Sequence, residues 1–367
     1  MPILLIRNDF RKLVFERDHH KCIICDNQAQ DVHHIIDRKL FDDGGYYVDN
    51  GASLCSNCHI QAEKCLLSVE TIREKAGIID IILPEGMSPE KRYDKWGQIM
   101  ADFVKYPRTR HIVGSALQKD DKADYATSEE LEGKYLIIEE KIDGANVGIS
   151  FDNELNLKLQ SRGHYLVGGD YSQFDQFKTW ANTYTEYFWD ILDTRYIMYS
   201  EWMWNFHSLF YDKLPHYFME FDIYDTEDDI FLSTNNRIKM VEHIEHNLKI
   251  HQVLVLTEGI CKNGQVNGKP ITEYVTFSYF QSRESSKILE SELKRINLDK
   301  ERAQGLMDLN KSGLMEGLYI KWEEDGIVKG RYKYVRPDFT QTIIDGGQHW
   351  QKRSPIHNRL IQGITLY

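Results

Sequence analysis

The 367-residue chain lacks any apolar run of membrane-spanning length. Its opening "MPILLIRNDF" is too short for a secretory leader and has no small-residue cleavage site. Both absences point to a protein of the cytoplasm with no membrane partner. No internal repeat and no low-complexity segment is present, so neither a solenoid nor a polar tether is expected. Positive charge is also short: the net charge is −12. An acidic total disfavours long-range attraction to nucleic acid but leaves a local basic groove open. "KYPRTRH" and "KGRYKYVR" are two such local runs, each readable as a solvated face or as a phosphate contact. Cysteine is sparse, and four of the six lie in two C-x2-C pairs. Without a secretion signal, such pairs suggest a metal rather than disulfides, with Cys65 and Cys261 left as buried thiols.

What is present is an ordinary globular balance, 41% hydrophobic and 28% charged, over a length that allows two or three domains. Residues 1–75 hold all the paired cysteines. Residues 76–104, "GIIDIILPEGMSPEKRYDKWGQ" and its flank, read as a connector that still packs, because they carry Ile, Leu and Trp. From 105 to 345 strands dominate. "YLIIEEKIDGANVGISF" and "NLKLQSRG" read as neighbouring strands, "YIMYSEWMW" and "HYFMEFDIYD" as aromatic-rich strands, and "GLYIKWEEDGIVKGRYKYV" as two strands about an Asp-Gly turn. "YSQFDQFKTWANTYTEYFWDIL" and "SSKILESELKRINLDKERAQGLMDL" have helical spacing. Residues 346–367 form a short tail, and "TQTIIDGGQHWQKRSPIHNRLIQG" leaves room for one short helix. The fold class is α+β with a large antiparallel component.

"CIIC" (Cys22, Cys25) and "CSNC" (Cys55, Cys58) stand about thirty residues apart, a spacing that closes a tetrahedral zinc site. Around them lie His33 and His34 in "VHHIID", then Asn50, then His59 directly after Cys58. That order resembles the HNH endonuclease family, in its four-cysteine branch, over residues 15–65. The resemblance implies a small zinc-bound ββα module in which His34 is the general base. His33 and His59 would hold a divalent ion, and Asn50 would fix the loop and orient His34. An imidazole near its ordinary pKa can take a proton from water, and one cation can offset charge growing on a phosphate. The same residues also suit a zinc-stabilised nucleic-acid-binding module that cuts nothing.

In "EEKIDGANVGISF" a lone Lys141 precedes an Asp-Gly step, which alone reads as a charged hairpin. "KIDGAN" fits K-x-[DH]-G-x-N, and an ordered series follows it: "SRG" with Arg162, "YSEW" with Glu201, "FMEFDIYD" with Phe221 and Asp222, "EGLYIK" with Glu316 and Lys321, and "GRYKYV" with Arg331 and Lys333. The series resembles the covalent nucleotidyltransferases, and with Asn146 and the "FD" pair it is most similar to the RNA ligase 2 family, over residues 105–340. The resemblance implies an antiparallel-sheet, ATP-grasp-like adenylation domain using ATP with Mg(II) or Mn(II). Lys141 would attack the α-phosphate to give lysyl–AMP, since a cationic, partly desolvated setting can free its lone pair. Glu140 would read the adenine edge, Phe221 stack on the base and Glu201 hold the ribose. Glu316 would bind Mg(II), Lys321, Lys333 and Arg331 would face phosphates, Asp222 would support sealing, and Arg162 and Asn146 would contact the nucleotide and the 5′-phosphate.

Two departures stand out. Ser200 replaces a frequent glycine, and Arg331 a frequent lysine. About thirty residues after the last motif leave no space for an OB-fold domain, so substrate binding is expected to be shared with the N-terminal module or a repair partner. RNA is the expected substrate. A DNA nick ligase, or a protein that adenylates itself and seals nothing, fits the same motifs.

Overall fold

The computed structural model describes residues 3–65, 67–89, 91–97, 99–100, 103–117, 124–166, 172–242, 248–339 and 356–367. The chain divides into two compact units, residues 1–105 with 163–168, and residues 106–162 with 169–367.

In the first unit, strands Asp31–His34 and Gly51–Leu54 pair antiparallel, with His33 opposite Ala52 and His34 opposite Gly51. Helix Ser56–Glu63 follows, completing a ββα arrangement. Helix Arg7–Arg17 buries Phe10 and Val14, one turn apart, against the second strand. Gly51 is required by that contact: a Cβ there would lie 2.7 Å from Val14 and 2.8 Å from Phe10. Ile35, Ile36, Leu54, Val69 and Ile72 form the core, and Ile78, Ile82, Leu83 and Met87 pack on it, so this stretch is not a free linker. Cys65 is half-buried rather than fully buried, whereas Cys261 is inside the core of the second unit.

The second unit is built on two six-stranded sheets. In one, strands Ile230–Phe231, Phe218–Asp225, Tyr196–Trp202, Ala145–Phe151 and Leu157–Ser161 run antiparallel in that order, with His251–Gln252 parallel to Phe218–Asp225. In the other the order is Val255–Ile260, Tyr135–Lys141, Gly317–Glu324, Ile327–Val335, Arg110–Ile112 and Tyr125–Ala126, the last two added in parallel. The Asp325-Gly326 hairpin forms as its sequence suggests, both residues having positive φ (53° and 79°).

Both helical segments split in two. Ser172–Thr183 and Thr185–Leu192 lay Phe177, Trp180 and Phe188 against Phe218 of the first sheet. Ser285–Arg295 and Lys300–Lys311 are separated by Asn297 in the left-handed region, and the Asp299 carboxylate accepts the N–H groups of Glu301 and Arg302 to start the second. Residues 340–355, where most of the suggested C-terminal helix falls, lie outside the described residues; from Ile356 the chain runs without helix. Among the described residues no helix is long and apolar enough to cross a membrane.

Candidate functional site

Lys141 is the last residue of its strand, and Ala145 begins a strand of the other sheet. The Asp-Gly step is therefore the crossing between sheets and not a hairpin tip. Asp143 anchors the crossing by accepting the N–H groups of Ser208 (2.7 Å) and Leu209 (3.1 Å). Gly144 has no room for a side chain, since a Cβ would stand 2.6 Å from Met203 Sδ and 2.8 Å from the Trp202 carbonyl. A cavity of about 350 Å3 opens beside Lys141, with walls from both sheets. That size suits a small polar ligand.

Lys141 Nζ lies 2.7 Å from Glu316, whose side chain is only 3% exposed against 26% for the lysine. Burial disfavours the ammonium, but Glu316 and then Glu201 outweigh it and hold the lysine pKa above its usual value. The sequence suggested a cationic setting that frees the amine; the protein's own groups do the opposite. Burial in turn pushes the carboxyls of Glu316 and Glu201 up to about 7, against the pull of Lys141. Glu201 also accepts the Gly144 N–H at 3.1 Å and stands opposite Asn146 in the strand register. Asn146 Oδ1 is buried with no partner among the described residues. Glu140, exposed Arg162, Phe221 and Lys333 complete the part of the wall foreseen from the motifs, while Tyr106, Tyr319 and Val253 were not foreseen. Ser200, fully buried, is not in this wall.

Three expected site residues lie elsewhere. Lys321 sits opposite Ile137 and Arg331, four strand positions, or about 13 Å, from the row that pairs Lys141 with Gly317. It is fully buried, 3.1 Å from Glu139 and 3.2 Å from Asp222, and donates to the Phe221 carbonyl. Arg331 binds Asp222 at 3.1 Å and stacks on Phe231 at 3.6 Å. Asp222 also accepts from Tyr106, and its burial is outweighed by Lys321 and Arg331, which keep its carboxyl below the usual range. Arg237, from helix Thr234–Glu242, closes the network with Glu220 (2.5 Å) and Glu139 (2.6 Å). With Glu139, Glu220 and Arg237, the side chains of Asp222, Lys321 and Arg331 make a charge-balanced network; these last three lie in the floor behind the cavity and do not line it. The "KGRYKYVR" run is divided: Arg331 and Lys333 face inward, Lys329 is exposed at a shift in the strand register, and Arg336 donates to the Met315 carbonyl. In "KYPRTRH", Arg110 is taken up by Asp124 and Glu130.

Glu140 follows the alternation to the other face of its strand and still reaches the cavity wall. Its carboxylate accepts from Ser278 Oγ (2.5 Å) and from the Tyr279 N–H (3.2 Å), and burial pushes it up to about 7 in spite of them.

In the first unit Cys22, Cys25, Cys55 and Cys58 place their sulfurs within 4.8 Å of one another, with Sγ–Sγ distances of 3.7 Å from Cys25 to both Cys55 and Cys58. A tetrahedron of metal–sulfur bonds near 2.3 Å has edges of about 3.8 Å, so the cluster fits zinc. A second group joins His33, His59 and Glu63. The Glu63 carboxylate is 3.2 Å from His33 Nδ1 and 3.1 Å from His59 Nε2, and also contacts the buried ammonium of Lys95. Glu63 was missed because it lies four residues past His59, and Lys95 because it comes from the stretch read as connector. His34 points to the opposite side of the strand, stacked on Phe10 at 4.8 Å with Nε2 unpartnered among the described residues. Asn50 ties the loop by bonding the Ile36 backbone and the Gly45 carbonyl, and makes no described bond to His34.

Residues 134–335, more than half of the chain, match the RNA ligase family model, and residues 22–64 match the HNH endonuclease family model. The chain belongs to the RNA ligase family and carries an HNH module ahead of its ligase region. Similar solved structures include a Naegleria gruberi RNA ligase mutant with AMP and Mn (16% identity, 62% of this chain and 59% of that one, TM-score 0.37). An archaeal ATP-dependent RNA ligase matches at 12% identity over 65% of this chain and 51% of that one, TM-score 0.35. A protein described as an ATP-dependent DNA ligase from Aquifex aeolicus matches at 18% over the same shares, also with TM-score 0.35. This chain thus spans about half to three fifths of the length of these proteins. No curated protein matches it.

Proposed function

We propose that the second unit is an ATP-dependent ligase that joins a 5′-phosphate to a 3′-hydroxyl, with RNA as its substrate. The supporting observation is Lys141 at the junction of two sheets, projecting into a polar cavity walled by most of the other motif residues, Glu201, Glu316, Arg162 and Lys333 among them. Deprotonated Lys141 Nζ attacks the α-phosphorus of ATP, the bond to the bridging oxygen breaks, and pyrophosphate leaves. The ammonium proton passes first to the acidic surround of Glu316, Glu201 and Asp143. AMP then moves to the 5′-phosphate of the strand, and the 3′-hydroxyl displaces it to form the phosphodiester. Asn146 and Arg162 contact nucleotide and 5′-phosphate, Glu201 the ribose, Phe221 the base, and Glu140 the adenine amino group with its remaining lone pairs. Glu316 is the residue placed to hold a divalent ion, Mg(II) or Mn(II), which would supply charge neutralisation at the phosphates. Lys333 adds a fixed cation, whereas Lys321, Arg331 and Asp222 act by holding the floor in place. Labelling by ATP carrying label in the α-phosphate tests the assignment: Lys141→Ala abolishes it, and retained labelling places the nucleophile elsewhere. RNA, DNA and hybrid nicks, offered side by side, separate an RNA ligase from a DNA ligase; failure to join any pre-adenylated strand marks a self-adenylating sensor.

In the first unit the four cysteines would hold a structural zinc. His33, His59 and Glu63 would hold a catalytic ion for nicking, with His34 as the base. One observation favours the second reading, a binding module: Lys95 already supplies a cation to Glu63. Cleavage unchanged by His34→Ala places the base elsewhere; no cleavage by the parent, or metal binding that appears only in Lys95→Met, supports the binding module. Together the units suit cut-and-reseal repair in the cytoplasm, alone or with a repair partner.

A further inference from the structure

Beside the nucleotide cavity the loop Thr276–Arg283 presents two large aromatic side chains to solvent, Phe277 at 44% and Tyr279 at 60% exposure. Their exposure is built in, because the loop is fixed along its length. The Ser278 N–H donates to the Gly313 carbonyl (2.9 Å), the Met315 N–H to the Thr276 carbonyl (3.1 Å), and the Lys213 N–H to the Phe280 carbonyl (3.0 Å). Gly313 is pressed so closely by Phe277 that a Cβ would fall 2.1 Å from its ring. A shallow cleft of about 560 Å3 runs along these rings and is flanked by the exposed side chains of Lys213 and Arg283. Neither cation is paired with an acid among the described residues: neighbouring Asp212 is taken by Ser282, and Glu284 by Lys287. In a chain of net charge −12, unpaired cations framing exposed rings select an anionic ligand with flat faces.

We propose that this loop is a platform for a single-stranded polynucleotide, whose bases stack on Tyr279 and Phe277 and whose phosphates meet Lys213 and Arg283. The platform rests on the reading of the second unit as a nucleic-acid ligase and places its substrate surface within that unit. Its backbone continues into the nucleotide site, because the Tyr279 N–H and the Ser278 hydroxyl hold Glu140. A strand seated here would deliver its end next to the adenylate pocket. Stacking and phosphate contact are common to RNA and DNA.

The test is fluorescence anisotropy of the full chain with a labelled 12-nucleotide RNA, the same sequence in DNA, and a blunt duplex. Tyr279→Ala weakens single-strand binding about tenfold, and Tyr279→Phe restores it. Lys213→Ala with Arg283→Ala lowers the slope of log affinity against log salt by about 1.4, two contacts at about 0.7 each. Weakening on RNA alone adds a role for the 2′-hydroxyl; weakening on both strands leaves the shared chemistry. Variants that bind both single strands as the parent does, or that lose affinity only for duplex, overturn the platform. Self-labelling of the parent by ATP is read separately. A parent that binds RNA through Tyr279 but never labels refutes the ligase reading and leaves the platform standing.

Discussion

The two units solve the same problem, holding reactive polar groups in place, by opposite means. The first has a small core and four sulfurs within 4.8 Å of one another, a set that a metal would draw together to order its loops. The second buries Trp180, Trp202 and Phe218 and can enclose six charged side chains, Glu139, Glu220, Asp222, Arg237, Lys321 and Arg331, in a balanced network behind its cavity. The lesson is one of scale. A unit with little apolar area binds its loops with strong local bonds, whereas a larger one can shield a buried network that fixes the pocket floor.

That contrast can be broken most sharply by removing metal. Structural zinc contributes about 10 kcal/mol to such modules, as much as the whole net stability of a domain. Chelation, or Cys55→Ser with Cys58→Ser, is expected to strip hydrogen-exchange protection from residues 22–64 while labelling by ATP persists. Labelling lost together with that protection would show that the second unit needs the first.

The next effect belongs to the buried network. Arg237→Met leaves Glu139 with Lys321 alone and Glu220 without its ion pair, and costs about 3–5 kcal/mol, read from the urea midpoint. Adding Glu139→Gln and Glu220→Gln should return most of it; a midpoint unmoved by Arg237→Met would mean that the network carries no load.

The third sets a buried acid against pH. Glu140 in the folded chain keeps its proton up to about 7, whereas the unfolded chain releases it in the ordinary carboxyl range. Between those values the folded state holds the extra proton, so this contribution to stability is full at low pH and is lost as pH rises to about 7. The Glu140→Gln variant removes that slope, on the order of 3 kcal/mol across the window. Melting temperatures of parent and variant compared from pH 4.5 to 8 check the sign; parallel curves contradict it.

The smallest effect is steric. Gly144→Ala forces Met203 and the Trp202 carbonyl apart, costs about 1–3 kcal/mol and slows labelling by displacing Lys141. Unchanged labelling would mean that the crossing tolerates movement.

Much of this was legible in the chain, unevenly. The spacing of the cysteines, the Asp325-Gly326 hairpin and the ordered residues Lys141, Glu201, Glu316 and Lys333 were readable, because each depends on neighbours a few positions away or on a series in fixed order. Lys321 and Arg331 share motifs with Glu316 and Lys333, yet strand register sets them about 13 Å from the row of Lys141, which no spacing rule reveals. Glu63 and Lys95 escaped notice because a lone acid and a lone lysine have no local signature. Tyr106, Ser278 and Tyr279 reach their partners only when distant segments meet; Tyr106 and Asp222 are separated by 116 positions.

By itself the sequence determined which chemistry is available: an ordered set of nucleotidyltransferase residues, four thiols at metal spacing and three histidines around them. Tertiary structure alone decided what each group faces. It made the Asp-Gly step after Lys141 a crossing between two sheets, surrounded the lysine with acids, and tied Glu140, at the cavity wall, to a loop more than a hundred residues on. The physical reason is that covalent order fixes the identity and spacing of side chains, whereas their charge environment depends on burial and on contacts that sum over the whole fold.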